Sequence, residues 1–291
     1  FRDRGERARH GADGDTLMQF IDGLPLWLIL FLTVIGQLAC IELGFRFGHV
    51  RQGKPNKAQM AQVRAIMGAS LGLLAFMLAF SFNTAQQHFE ERSRAYLLEV
   101  SAIDSTFRGA GLLPGAHKEA ARDLLRTFAE VRLDTTRYAR ANDLPAVIGM
   151  IRESERIHDS LWRIAEEAEQ QYAAQGSDSR IFAQSLIAMI NAHDQRLQVT
   201  LFNRISPIIW ITLYGMAMMS MAVMGYQAGL TGTRSTFATW TLAVTFAFVI
   251  ILITDLDRPR MSLFQLNQDL MVELRNRMDG GEPWDGGNRD R

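Results

Sequence analysis

Two histidines and one glutamate have the types and the spacing that could bind a metal ion. Glu155 and His158 stand three residues apart in a segment with helical periodicity, which places both side chains on one helix face, as in di-iron bundles. His193 occupies a position in the next helical segment that would otherwise be apolar, so the two histidines could meet inside a bundle. A second copy of the motif is missing, and buried histidines are more often hydrogen-bonded than metal-bound. We therefore assign no metal and no cofactor, and keep these three residues as weak candidates for metal ligands.

Other sequence patterns also argue against an enzyme. The sequence has no glycine-rich phosphate loop, no nucleophile elbow, no zinc-protease motif and no dinucleotide fingerprint. Cys40 is the only cysteine, so the chain cannot form an internal disulfide or a cysteine-based metal site. The 31 basic and 31 acidic residues balance and are intermixed, which gives no basic footprint for nucleic acid. We predict no catalytic residues, no enzymatic activity and no nucleic-acid partner.

Four long windows of the sequence lack charged side chains. They cover residues 23–41, 65–87, 205–233 and 235–254. A helix rises about 1.5 Å per residue, so each window is long enough to cross a hydrocarbon core about 30 Å thick. The sequence therefore predicts an all-α membrane protein with four transmembrane helices, and the lipid bilayer is its first partner.

The windows divide the chain into five predicted regions. A polar amino-terminal arm (1–22) precedes transmembrane helices 1 and 2 (23–87). A helical extramembrane domain (88–204) separates these from transmembrane helices 3 and 4 (205–254), and a polar carboxy-terminal tail (255–291) follows. Basic residues flank the spans on both sides, so the positive-inside rule does not decide the orientation.

The predicted extramembrane domain has apolar residues at alternating spacings of three and four, which is typical of packed helices. Glycine, proline and asparagine interrupt this pattern near residues 109–115, 142–145 and 176–178, so we expect a bundle of four helices. We also expect the last of these helices to enter the third span directly, with Pro207 near its start. Residues 226–235 are expected to form the turn between the third and fourth spans.

The second span combines small residues with phenylalanines at helical spacing. Gly72, Phe76, Phe80 and Asn83 follow one another at intervals of four, four and three residues. Small residues allow helices to approach closely, whereas a ring of phenylalanines from several subunits would form a hydrophobic constriction. Apolar side chains in a span more often contact lipid or protein than a pore, so these residues alone favour a structural role.

Three charged residues mark the membrane boundary at the end of the fourth span. Asp255, Asp257 and Arg258 precede a proline, which ends a helix. Charges at such a boundary commonly pair with one another, so we favour pairing with Arg258 or with a neighbouring chain over ion coordination.

Residues 72–83 (GLLAFMLAFSFN), followed by Phe-Glu-Glu-Arg at 89–92, resemble the bestrophin superfamily. Residues 65–105, the Leu-Leu-Pro break at 112–114 and Asp-Leu-Asp-Arg-Pro at 255–259 are more similar to an uncharacterised bacterial bestrophin-like family. The chain departs from true bestrophins in having no acidic cluster of the Ca²⁺-clasp kind after the last span and in the sequence His-Phe-Glu-Glu after the second.

The resemblance implies a homo-oligomer, a pentamer, in a bacterial plasma (inner) membrane, with the insert and both termini in the cytoplasm. It implies a pore neck formed by Gly72, Phe76 and Phe80, with Asn83 following, and inorganic ions, anions among them, as the transported species. The leading hypothesis is accordingly a bestrophin-like ion channel or channel-like protein. The alternative is a non-conducting scaffold or sensor whose helical insert binds a protein partner.

Overall fold

A computed structural model describes residues 24–50, 57–141, 143–172, 179–232, 236–258 and 269–280, and these ranges form eight α-helices without any β-strand. The helices are α1 (Leu26–Val50), α2 (Lys57–Ala110), α3 (Gly115–Arg140), α4 (Leu144–Tyr172), α5 (Ser179–Phe202), α6 (Pro207–Thr231), α7 (Thr236–Asp257) and α8 (Asp269–Met278).

Four of these helices, α1, α2, α6 and α7, are long and apolar enough to cross a membrane. Each overlaps one of the four charge-free windows. Helix α2 has 54 residues, roughly twice the length that a membrane span requires, and only its charge-free part corresponds to the second window. Its carboxy-terminal half carries charged residues and belongs to the insert.

The junction between the insert and the third span differs from the expectation of a continuous helix. Helix α5 ends at Phe202 and α6 begins at Pro207. Ser206 has an extended ψ of 138°, because a proline ring disfavours the helical conformation of the residue before it. The expected turn at 226–235 is also shorter, since α6 continues to Thr231 and ends at Gly232, whose φ of 66° suits glycine.

The described residues divide into two compact units. One unit contains the residues up to Phe89 and those from Arg204 to Arg258. The other contains Glu90 to Asn203 together with the segment that forms α8.

In the first unit, α1 and α6 pack backbone against backbone. Both helices carry glycines four residues apart, Gly44 and Gly48 on α1 and Gly225 and Gly229 on α6. A Cβ added at any of these positions would meet backbone atoms of the other helix at 2.4 Å or less. This is the close packing that small residues at four-residue spacing permit between membrane helices.

In the second unit, the four insert helices surround an apolar core centred on Phe128, Leu161, Phe182 and Leu186. Helix α4 begins next to Asp143, whose side chain accepts a hydrogen bond from a backbone N–H of the first turn at 3.1 Å.

Helix α8 lies within the segment expected to be a polar tail, yet it packs into the core of the insert. Its buried residues Met271, Leu274 and Met278 belong to the same apolar cluster as the insert helices. The backbone N–H of Met271 donates a hydrogen bond of 3.2 Å to the hydroxyl of Tyr96 on α2.

Candidate pore-lining face and buried ion cluster

The four residues expected at a pore neck lie on one exposed face of α2. Phe76 is 65% exposed and Phe80 51% exposed, and Asn83 is exposed one turn further along. A Cβ built at Gly72 would meet no atom within 4 Å, and the same holds for Gly68 one turn earlier. The chain itself therefore leaves this face of the helix uncovered.

The opposite face of α2 is packed within the same unit. Leu74, Leu78 and Ala85 are buried in an apolar cluster with residues of α6 and α7. The hydroxyl of Ser220 on α6 donates a hydrogen bond of 3.3 Å to the backbone carbonyl of Ser70. The two sides of this helix thus differ sharply, one held by the neighbouring spans and one free of contact with them.

The charged residues at the end of the fourth span are buried. Asp257 accepts a hydrogen bond of 3.0 Å from the backbone N–H of Ile205, in the linker before α6. Its Oδ1 atom also lies 3.9 Å from Nδ1 of His88 on α2. Asp257 therefore connects α7 to both the start of α6 and the end of the second span.

Arg258 is also buried, and its guanidinium donates a hydrogen bond of 2.9 Å to the backbone carbonyl of Leu24 before α1. Asp255 is almost completely buried two residues earlier. The end of α7 thus has charged groups that contact backbone atoms of two other segments, an arrangement that fixes helix ends.

The structure brings two of the three metal candidates together and separates the third. His158 and His193 are buried, with ring centroids 5.0 Å apart, whereas Glu155 is exposed. Among the residues that the structure describes, no group of three or more histidine, cysteine, aspartate or glutamate side chains could hold a metal ion.

The histidine pair adjoins a buried ion cluster that was not predicted from the sequence. Glu99 of α2 is completely buried, and its carboxylate lies 3.0 Å from Nε of Arg132 on α3. The same carboxylate lies 2.9 Å from Nδ1 of His193 and contacts the guanidinium of Arg196, both on α5. One acidic side chain thus joins three helices of the insert.

The electrostatics of this cluster favour the ionised form of Glu99. Burial by itself raises the pKa of the carboxyl, but the charges of Arg132 and Arg196 and the hydrogen bond to His193 outweigh burial. They hold the pKa of Glu99 well below its usual range. The neutral form is favoured at His158, where burial, followed by electrostatic interaction with His193 and Arg132, lowers the pKa to about 4.

A sequence signal for Glu99 was present. Tyr96 and Ile103 belong to an apolar stripe of α2, and Glu99 lies between them at spacings of three and four, so it occupies a core position. An acidic residue at a core position requires a cationic partner. Its partners are 33 and 97 residues away, and only the tertiary fold identifies them.

Comparisons with known proteins identify a matching family and solved structures with a similar fold. The model of the bestrophin-like domain family matches residues 35–261. No curated protein matches the chain.

Among solved structures, a bacterial bestrophin homologue from Klebsiella pneumoniae, solved by Zn-SAD phasing, has a TM-score of 0.59 at 13% identity and covers 89% of this chain and 100% of its own. A single-substitution variant of the Klebsiella pneumoniae homologue has a TM-score of 0.59 at 13% identity, covering 88% and 100%. A structure described as a membrane protein has a TM-score of 0.60 at 14% identity, covering 89% and 100%. At these identities the similarity shows a shared fold, and it confirms the predicted fold class of an all-α membrane protein.

Proposed function

Because the chain belongs to the bestrophin-like family, we propose that it forms an oligomeric ion channel whose central pore is lined by the exposed face of α2. The observation that supports this proposal is the contrast between the two faces of α2. Leu74 and Leu78 are packed within the chain, whereas Phe76 and Phe80 are uncovered. In an oligomer with α2 at its centre, the uncovered face is the one that would surround the axis.

The order of residues along this face suits a short hydrophobic neck. Gly72 has no side chain and would leave the pore wide, Phe76 and Phe80 would form two successive aromatic rings, and Asn83 would restore a polar lining one turn further. An apolar constriction of this kind gates by excluding water. The positively polarised edges of the phenylalanine rings make anions the first candidates for the transported ion.

The finer parts of the proposal rest on the family resemblance. They are a pentameric assembly, a bacterial plasma membrane, and a cytoplasmic location of the insert (88–204), the amino-terminal arm (1–22) and the carboxy-terminal tail (255–291). Asp255, Asp257 and Arg258 then lie at the boundary of the membrane, where we assign them a structural role in fixing helix ends.

The proposal is tested by ion flux through the purified protein in liposomes. The double variant Phe76→Ala/Phe80→Ala removes both aromatic rings and should increase the flux per oligomer, because the neck becomes wider and easier to wet. The matched control is Phe31→Ala/Phe248→Ala, which removes phenylalanines of 59% and 58% exposure from α1 and α7. This control should conduct as the wild type does.

Single-particle imaging in lipid supplies the second readout. Phe76 and Phe80 at the narrowest point of an axial path would support the neck assignment. Unchanged flux in the double variant, with the oligomer intact, would count against it. A wild-type protein without flux and without an axial path would instead favour a non-conducting scaffold or sensor whose insert binds a protein partner.

A further inference from the structure

Two histidine rings contact each other in the core of the insert. His158 on α4 and His193 on α5 have ring centroids 5.0 Å apart in an edge-to-face arrangement. The ring of Phe128 on α3 packs against both, at 4.9 Å and 5.7 Å between centroids. The Nε2 atoms of both histidines are buried and have no hydrogen-bond partner in the described part of the chain. Neither Nε2 atom therefore has a hydrogen-bond acceptor to which a protonated ring could donate.

The charges that face this pair come from every helix packed around it. Helix α2 contributes Glu99 and Tyr96, α3 contributes Arg132, and α5 contributes Arg196, which stacks over the Tyr96 ring at 4.9 Å. Burial raises the pKa of the Tyr96 hydroxyl, and the charge of Asp269 on α8 contributes to raising it. The Glu99 carboxylate already faces two guanidinium groups, so a positive charge on the His158 ring would have no counterion of its own. Protonation is therefore unfavourable while the helices stay packed.

We propose that His158 is an acid-operated latch, which holds α4 and α5 against α2 and α3 while its ring is neutral and releases them when the ring takes up a proton. The latch joins helices that are far apart in the sequence, through His193 to Glu99 and through the Phe128 ring to α3. Its release exposes the His158 ring to water, where protonation costs far less.

The size of the effect follows from linkage. Burial, followed by electrostatic interaction with His193 and Arg132, lowers the pKa of His158 to about 4, whereas an exposed histidine titrates near 6.5. The opened insert therefore binds a proton between these two values that the closed insert does not. The equilibrium constant for opening should rise about 20-fold as the pH falls from 7 to 5.

Hydrogen–deuterium exchange of the full chain in lipid nanodiscs tests the proposal. Amides of α4 and α5 are followed at pH 7 and pH 5, with labelling times scaled for the intrinsic pH dependence of exchange. In the wild type, we expect protection of these helices to fall about 20-fold at pH 5. Protection of α1 and α6, in the membrane unit, should change by less than about threefold over the same range.

Variants distinguish the latch from a general acid effect. His158→Gln and His158→Leu remove the titrating ring, the first with a polar and the second with an apolar replacement, and either one should lose most of the pH response. His117→Gln is the control, because His117 is a histidine of the same unit whose bond to Gln171 is exposed, and this variant should keep the full response. The proposal is overturned if wild-type protection of α4 and α5 is the same at both pH values, or if both His158 variants keep the 20-fold change.

Discussion

Gly44 on α1 lies so close to α6 that a Cβ at this position would stand 2.0 Å from the backbone carbonyl oxygen of Ala222. The reciprocal contact is equally short, since a Cβ at Gly225 would stand 2.0 Å from the carbonyl oxygen of Ile41. Backbone atoms on both sides leave no flexible side chain to move aside. The first and third spans can therefore keep this distance only with glycine at these positions.

Gly44→Val should weaken the packing of α1 against α6. The added methyl groups would push the two backbones apart, and overpacking of this kind costs about 1–3 kcal/mol. Thermal unfolding in detergent provides the measurement. Gly215→Val, on α6 at a position where a Cβ meets no atom within 4 Å, is the matched control. Equal melting temperatures for the two variants would show that the α1–α6 contact is looser than described.

Glu99→Gln should destabilise the insert strongly. The substitution keeps the shape of the side chain but leaves Arg132 and Arg196 without their anionic partner in the protein interior, and breaking a buried ion pair costs about 3–5 kcal/mol. Glu153→Gln is the control, because Glu153 pairs with Arg156 on the surface, where such a pair contributes less than about 1 kcal/mol. Chemical unfolding of the full chain should rank the two variants in that order; similar losses for both would contradict the buried role of Glu99.

The pH dependence of stability has a second component at lower pH than that of His158. The pKa of Glu99 is lower in the folded protein than in the unfolded chain, where a glutamate titrates at about 4.3. Its stabilising contribution is therefore fully present above that value and is lost as the pH falls below it.

In a His158→Gln background, which removes the histidine component, we expect the free energy of unfolding to fall between pH 5 and pH 3. Adding Glu99→Gln should flatten this dependence. An equally steep fall in the double variant would assign the acid sensitivity to other carboxyl groups.

Asp257 should stabilise the folded protein more through the hydrogen bond that its side-chain oxygen accepts than through its charge. Asp257→Leu leaves the buried backbone N–H of Ile205 without this acceptor, which costs about 1–3 kcal/mol. Asp257→Asn retains a side-chain carbonyl that can accept the same bond, so its loss should be smaller. Unfolding of the two variants in detergent would show the difference, and equal losses would point instead to the carboxylate charge and its contact with His88.

The number and approximate position of the spans could be predicted from the sequence because the cost of charge in hydrocarbon is a local property of each window. Helix ends were predicted less well. The break before Pro207 was overlooked because a proline at the first position of a helix and a proline inside a continuous helix look alike unless the preceding residue is considered.

Two features of the fold were visible in the sequence but were not used. Gly44 and Gly48, like Gly225 and Gly229, have the four-residue spacing of close helix packing, the same signal that is present in the second span. Glu99 occupied a core position. Its pairing with Arg132 and Arg196 could not be derived, because one sequence does not specify which of many arginines meets a given acid.

The packing of α8 into the insert has a consequence for how the protein is made. The helix is translated after the last span, yet Met271, Leu274 and Met278 complete a core whose other residues emerge from the ribosome before the third span. The core of the insert therefore stays incomplete, with part of its apolar surface exposed, until α6 and α7 have been synthesised and α8 can pack against it. Helix α8 must lie on the same side of the membrane as the insert, and this requires that both α6 and α7 cross the bilayer. The core of the insert can therefore be completed only after both spans have been inserted.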